Sequence, residues 1–181
     1  MSFLPEGYEV PKTTGNYTKL QPGTNKLRFL ASPVIGYEWW EDSDEGRKPR
    51  RVKTFQQAVN QGAEPIKHFW ALPVWNYQTE RLEIFEITQK GIMGAIETLV
   101  SDEDWGTPLD YDLKITKSGE GMETKYQVSP SPKKSVESHI AQAYKDTKID
   151  LQALFRNENP FQASDEFDSD TVADDVMENL K

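Results

Sequence analysis

Cysteine is absent from the 181 residues, which excludes a disulfide framework, Cys-based zinc sites and thiol catalysis. Histidine is nearly absent. His68 and His139 stand 71 positions apart, which argues against a His-rich metal site. No apolar run reaches the roughly 18–20 residues needed to cross a bilayer. The opening Met1-Ser2-Phe3-Leu4-Pro5-Glu6 has no basic n-region, so a secretory signal is not supported. There is no G-x-x-x-x-G-K-[ST] phosphate loop, and nothing suggests a Ser-His-Asp arrangement. Apolar residues make up only 36% of the chain, below the usual globular share, so part of it is expected to be polar loop or tail. These absences read as a soluble, non-catalytic protein of a reducing compartment that holds no metal and no cofactor.

What is present is charge, unevenly placed. The formal net charge is −9. Residues 1–155 carry 19 basic and 22 acidic side chains, whereas residues 156–181 carry 2 and 8. An acidic block of this kind is expected to be disordered and to serve as an interaction tail. The body holds the opposite feature. Arg47-Lys48-Pro49-Arg50-Arg51-Val52-Lys53 has five basic residues in seven, just after the acidic Glu41-Asp42-Ser43-Asp44-Glu45. An anionic partner would therefore have to bind a local patch.

Along the chain, residues 1–23 are punctuated by Gly and Pro and read as an extended lead-in. Residues 25–31 alternate, with Leu27 and Phe29 on one face and Lys26 and Arg28 on the other, which predicts a half-buried strand. β-prone residues continue through 34–40, with Pro33 and Gly36 as bend points. Residues 41–64 read as a long polar loop with one helical turn at 55–60. The aromatic stretch 67–77 and the segment 82–87 predict a hairpin turning near 78–81, with Tyr77 facing Leu82 and Trp75 facing Ile84. Thr88 is a candidate N-cap for a helix over 89–100. Alternation at Tyr111, Leu113 and Ile115 predicts a strand, and 124–129 a last one. Helical character returns at 135–144 and 150–155.

The resulting order, β-β-β-α-β-β, predicts a mainly β fold. It is the order of the five-stranded OB-fold barrel, which binds oligonucleotides or oligosaccharides on its strand 2–3 face. The expected layout is an extended segment 1–23, an OB-fold single-stranded DNA-binding domain 24–132, a helical extension 133–161 and a disordered acidic tail 162–181. One face of the hairpin would fill the barrel while the other exposes Phe69, Trp75 and Tyr77 beside the basic run. Rings that stack bases at ~1–3 kcal/mol each, next to cations that follow phosphates, suit an unpaired strand. The candidate phosphate contacts are Lys26, Arg28, Arg47, Lys48, Arg50, Arg51, Lys53, Lys67 and Lys114. The candidate rings are Trp39, Trp40, Phe69, Trp75 and Tyr77. The competing reading is that the rings are core and that the basic run pairs with the acids at 41–45. In the tail, Asp165, Glu166, Asp168, Asp170, Asp174, Asp175 and Glu178 flank Val176, Met177 and Leu180, a pattern that could dock on a basic, apolar partner groove.

Several stretches resemble the single-stranded DNA-binding proteins of tailed bacteriophages. They are Tyr17-Thr18-Lys19-Leu20 with 23–30, Gly36-Tyr37-Glu38-Trp39-Trp40, Lys67-His68-Phe69-Trp70-Ala71, Glu86-Ile87-Thr88-Gln89-Lys90, Asp104-Trp105-Gly106 with 111–115, and 149–155 with Asn159-Pro160-Phe161. The resemblance implies an OB-fold core, an acidic C-terminus that recruits replication or recombination proteins, and a role in DNA replication, recombination or repair. That role would be in the cytoplasm of an infected bacterium. A homo-oligomer is compatible with it. Two alternatives stand beside it: a protein-interaction adaptor with little DNA affinity, and a single-stranded RNA binder. Gly91-Ile92-Met93-Gly94 matches the KH-domain G-x-x-G clamp, but it falls inside a predicted helix.

Overall fold

The computed structural model describes residues 16–161. Among them run β1 (Gly23–Phe29), β2 (Val34–Ser43), β3 (Gly46–Val52), α1 (Phe55–Asn60), β4 (Lys67–Asn76), β5 (Arg81–Ile87), α2 (Lys90–Ser101), β6 (Asp112–Ser118), β7 (Lys125–Pro130) and α3 (Ser138–Asp146). Short 3-10 turns lie at Pro108–Asp110, Gly121–Glu123 and Leu151–Arg156. The strands form one antiparallel sheet of seven, ordered β3-β2-β4-β1-β6-β7, with β5 on the other edge of β4. No ladder among the described residues joins β5 to β7, so the sheet is open and the expected closed five-stranded barrel is not formed. The N-terminal residues 16–18 cap the free edge of β5, through Ile84 N to Asn16 O (2.7 Å) and Thr18 N to Ile84 O (2.9 Å).

β1 and β2 behave as one strand bent at 30–33, where Pro33 cannot donate to a ladder. β4 pairs with both, Phe29 opposite Val74 and Val34 opposite Ala71. The inner face of the sheet carries Leu27, Phe29, Leu72, Val74, Phe85, Leu113 and Ile115, and α2 covers it with Ile92 and Ile96. Each of these isoleucines contributes roughly 2 kcal/mol by leaving water. The 3.6-residue apolar spacing of α2 thus does what its sequence foretold. Its N-cap is Gln89, without a side-chain cap bond, instead of the expected Thr88.

Two further expectations differ from the structure. Residues 41–64 are not a long loop: β2 runs on to Ser43 and the basic run forms β3, although α1 lies at the anticipated 55–60. A block of acids followed by a block of cations carries no apolar signal, so this hairpin is invisible to hydrophobic periodicity. The β4–β5 register also differs, with Trp75 opposite Leu82 and Pro73 opposite Ile84. The wider turn, with Glu80 at φ 53, accounts for it. A two-residue slip preserves parity, so the assignment of side chains to faces is unaffected.

Candidate nucleic-acid interface

The outer face of the sheet follows from the pairings. It carries Gly36, Glu38, Trp40, Arg51, Lys67, Phe69, Ala71, Trp75 and Ile84 on one half, and Thr24, Lys26, Arg28, Asp112, Lys114 and Thr116 on the other. The chain after β7 folds back over the first half. Phe69 is 0% exposed and packs with Leu154 and Phe161, its ring centroid 6.0 Å from that of Phe155. Trp75 is 8% exposed, with the His139 ring of α3 edge-on at 5.6 Å. Neither is an open platform as this chain stands. Periodicity placed both on the outer face, but it cannot reveal that the chain's own later segment covers them.

The basic run is largely answered by its neighbours. Asp42 lies opposite Arg47 and Glu41 opposite Lys48. Arg50 Nε meets Glu41 Oε2 at 3.0 Å, and Lys48 pairs with Glu45. β3 is also an edge strand, where charges and Pro49 disfavour pairing with another sheet edge. Exposed pairs of this kind are worth only about 0–1 kcal/mol, so the acids screen the hairpin without locking it. Trp39 lies buried against Ala58 of α1 and donates to Glu41 Oε1 at 2.9 Å, so it is not a base platform. Trp40 is 46% exposed. Lys53 and Lys67 are exposed, and the Lys53 Nζ lies 5.5 Å from the Phe155 centroid.

Arg51 and Arg28 are buried and do not present their guanidinium groups to a phosphate. Arg51 meets Glu86 at 2.7 Å and Glu38 at 3.5 Å, beside the Phe69 ring. One cation shared by two enclosed carboxylates leaves one of them to keep a proton. Burial first, and then hydrogen bonding and repulsion from Glu86, push the Glu38 carboxyl up to about 8 against the pull of Arg51 and Lys67. The same enclosure raises the Tyr17 hydroxyl above its ordinary value. The folded chain therefore holds a proton that the unfolded chain releases near pH 4.5. Stability from this group is complete in acid and is lost as pH rises toward 8, at a slope of up to about 1.4 kcal/mol per pH unit. Urea unfolding between pH 5.5 and 8.5 should show this loss, and Glu38→Gln should flatten it. Equal pH slopes in the two proteins would refute the assignment.

Arg28 is 2% exposed. It donates to Leu109 O and Lys134 O, both at 2.8 Å, and lies 3.5 Å from Asp112 Oδ1. It anchors the most unusual charge arrangement of the molecule. Asp112, 0% exposed, also draws Lys134 (3.2 Å) and Lys26 (3.6 Å) and accepts from the Tyr77 hydroxyl at 3.0 Å. Burial and the bond to Asp112 raise the Tyr77 hydroxyl far above its usual range, which keeps it a donor. Lys26 stands 4.5 Å over the Tyr77 ring and Lys134 6.0 Å. Lys114 is the direct cross-strand partner of Lys26, and like charges so placed repel. Thr24 and Thr116 bond to each other at 3.2 Å two rungs further on, with Gln127 and Ser129 beside this face on β7. Asp112 is the only carboxylate among the paired outer-face positions of β1, β6 and β7, and it is sealed. Glu137 reaches Lys134 at 3.8 Å.

Four anticipated residues, Lys26, Arg28, Tyr77 and Lys114, are thus brought together, Arg28 in a buried anchoring role. Lys134 joins them from the connection after β7, and no periodic signal marked it. The acidic tail residues lie outside the described residues. Among the described residues, no three His, Asp or Glu side chains are grouped to share a metal ion, and no helix is long and apolar enough to cross a membrane. No protein-family model matches this chain. A search of curated proteins returns no match.

Proposed function

We propose that this chain binds single-stranded nucleic acid, DNA before RNA, without catalysing a reaction on it. The observation that carries the reading is the excess of cations around one buried carboxylate, with Lys26 set directly against Lys114 and Lys134 alongside. Such a cluster is stabilised by a bound polyanion, and its hydroxyl and amide neighbours are neutral. The strand path supports it. β7-β6-β1-β4-β5, with α2 between β5 and β6, has the neighbour order of an OB-type sheet, opened where β5 and β7 would meet. The resemblance to phage single-stranded DNA-binding proteins agrees with both, and it extends the proposal to replication, recombination or repair in an infected bacterium, with the tail recruiting partners.

The test is a binding isotherm of labelled oligo-dT against duplex DNA of equal length, at several salt concentrations. Preference for oligo-dT is expected. With about three or four phosphate contacts, log K should fall against log salt at a slope of roughly −2 to −3. Absence of binding in dilute buffer would overturn the reading. It would favour a protein-interaction adaptor, for which the exposed Ile35, Phe55, Val59 and Val100 provide apolar contacts.

A further inference from the structure

Residues 149–161 lie across the outer face of β2, β4 and β5, where Leu154, Phe155 and Phe161 meet Phe69, Ala71 and Ile84. Their polar groups close largely within the segment. Asp150 N donates to Pro160 O at 2.9 Å, Arg156 reaches Asp150 at 2.6 Å and Glu158 at 3.1 Å, and Asn157 turns the chain in the left-handed region at φ 56. A unit closed on itself and held mainly by apolar contact can lift as one piece while the sheet stays paired.

The seat of Phe155 is built for a flat ring. Gly36 leaves room for it by having no side chain: a Cβ there would come 2.5 Å from the Val52 carbonyl oxygen across the β2–β3 ladder, 2.8 Å from Phe155 and 2.9 Å from Phe69. Phe69 forms the wall, and the ammonium of Lys53 stands 5.5 Å away. A slot over bare backbone, an aromatic wall and an adjacent cation are what an unpaired base with its phosphate requires. Trp40 continues the same face two rungs along β2 from Glu38 and is already open.

We propose that 149–161 is a strap occupying a base-stacking surface, with Phe155 holding the place of an unpaired base that a single strand displaces. This rests on the nucleic-acid reading above. The lysine half of the sheet then binds phosphates with the strap closed, and the aromatic half engages only when it opens.

Two measurements test it, both on the full chain. Phe155→Ala empties the slot without touching the lysine cluster, so its affinity for oligo-dT should rise about tenfold over wild type. In wild-type protein, saturating oligo-dT should speed hydrogen exchange at the amides of Ala153, Asn157 and Glu158, which bond within the strap. Unchanged affinity in a folded Phe155→Ala chain, or unchanged or increased protection of those amides, overturns the strap while leaving the binding function in place. If Phe155→Ala fails to fold, the exchange measurement on wild type decides. If wild type binds no oligo-dT, the binding function falls and the strap proposal falls with it.

Discussion

Replacing Lys26, Lys114 and Lys134 together by alanine should weaken oligo-dT binding roughly 100-fold at about 0.1 M salt. Each phosphate contact on a single strand contributes about −0.7 to the slope of log K against log salt, so three lost contacts flatten it by about 2 and remove about two decades of affinity at that concentration. Removing Arg47, Lys48 and Arg50 together should cost less than about threefold. The difference follows from the carboxylates. Glu41, Asp42 and Glu45 face the hairpin cations across one ladder, so removing those cations removes little net field. Lys26, Arg28 and Lys134 share the buried Asp112, and of these three Glu137 reaches Lys134 alone. Fluorescence anisotropy with salt titration measures both. A hairpin variant that lost more affinity than the lysine variant would move the phosphate path to β3.

Asp112→Ala should destabilise the fold by about 3–5 kcal/mol, since removing one partner of a buried charge pair strands the other. Arg28 would keep its bonds to Leu109 O and Lys134 O but have no counter-charge. Lys26 and Lys134 would lose the group that holds them together, and the Tyr77 hydroxyl would lose its acceptor. For a chain of this size the melting temperature should drop by roughly 10–15 °C. Thermal unfolding followed by circular dichroism measures it. A loss under about 1 kcal/mol would mean that the cluster is hydrated and that Asp112 does not organise it. Arg28→Met tests the same cluster from the other side. An apolar chain of similar length leaves Asp112 with two lysines, so the loss should be smaller than for Asp112→Ala.

The strands β1, β4, β5, β6 and β7 and the helix α2 were legible because each declares itself through neighbours in sequence. Leu27 and Phe29 alternate with Lys26 and Arg28, and Ile92 and Ile96 return at helical spacing. β3 was hidden because cations stand on both of its faces, with Pro49 in its middle, and only the ladder to residues 37–43 of β2 makes it a strand. The faces of β4 were readable by parity. The burial of Phe69 and Trp75 on one of them was not, since it depends on residues some 65 to 90 positions later that carry no mark of where they dock.

Composition and local pattern alone settled the absence of thiol chemistry, the concentration of acid at the C-terminus, and which side chains share a face of the strands that show an apolar alternation. These are properties of residue type and of backbone period, and both are local. Tertiary structure decided which cations are neutralised. Arg51 and Arg28 look like Arg50 in sequence, yet two are enclosed beside carboxylates and one is at the surface. It also joined Lys26 to Lys114 and Lys134, because Coulomb interaction depends on distance in space, and the ladders between strands set that distance, not the order of residues along the chain.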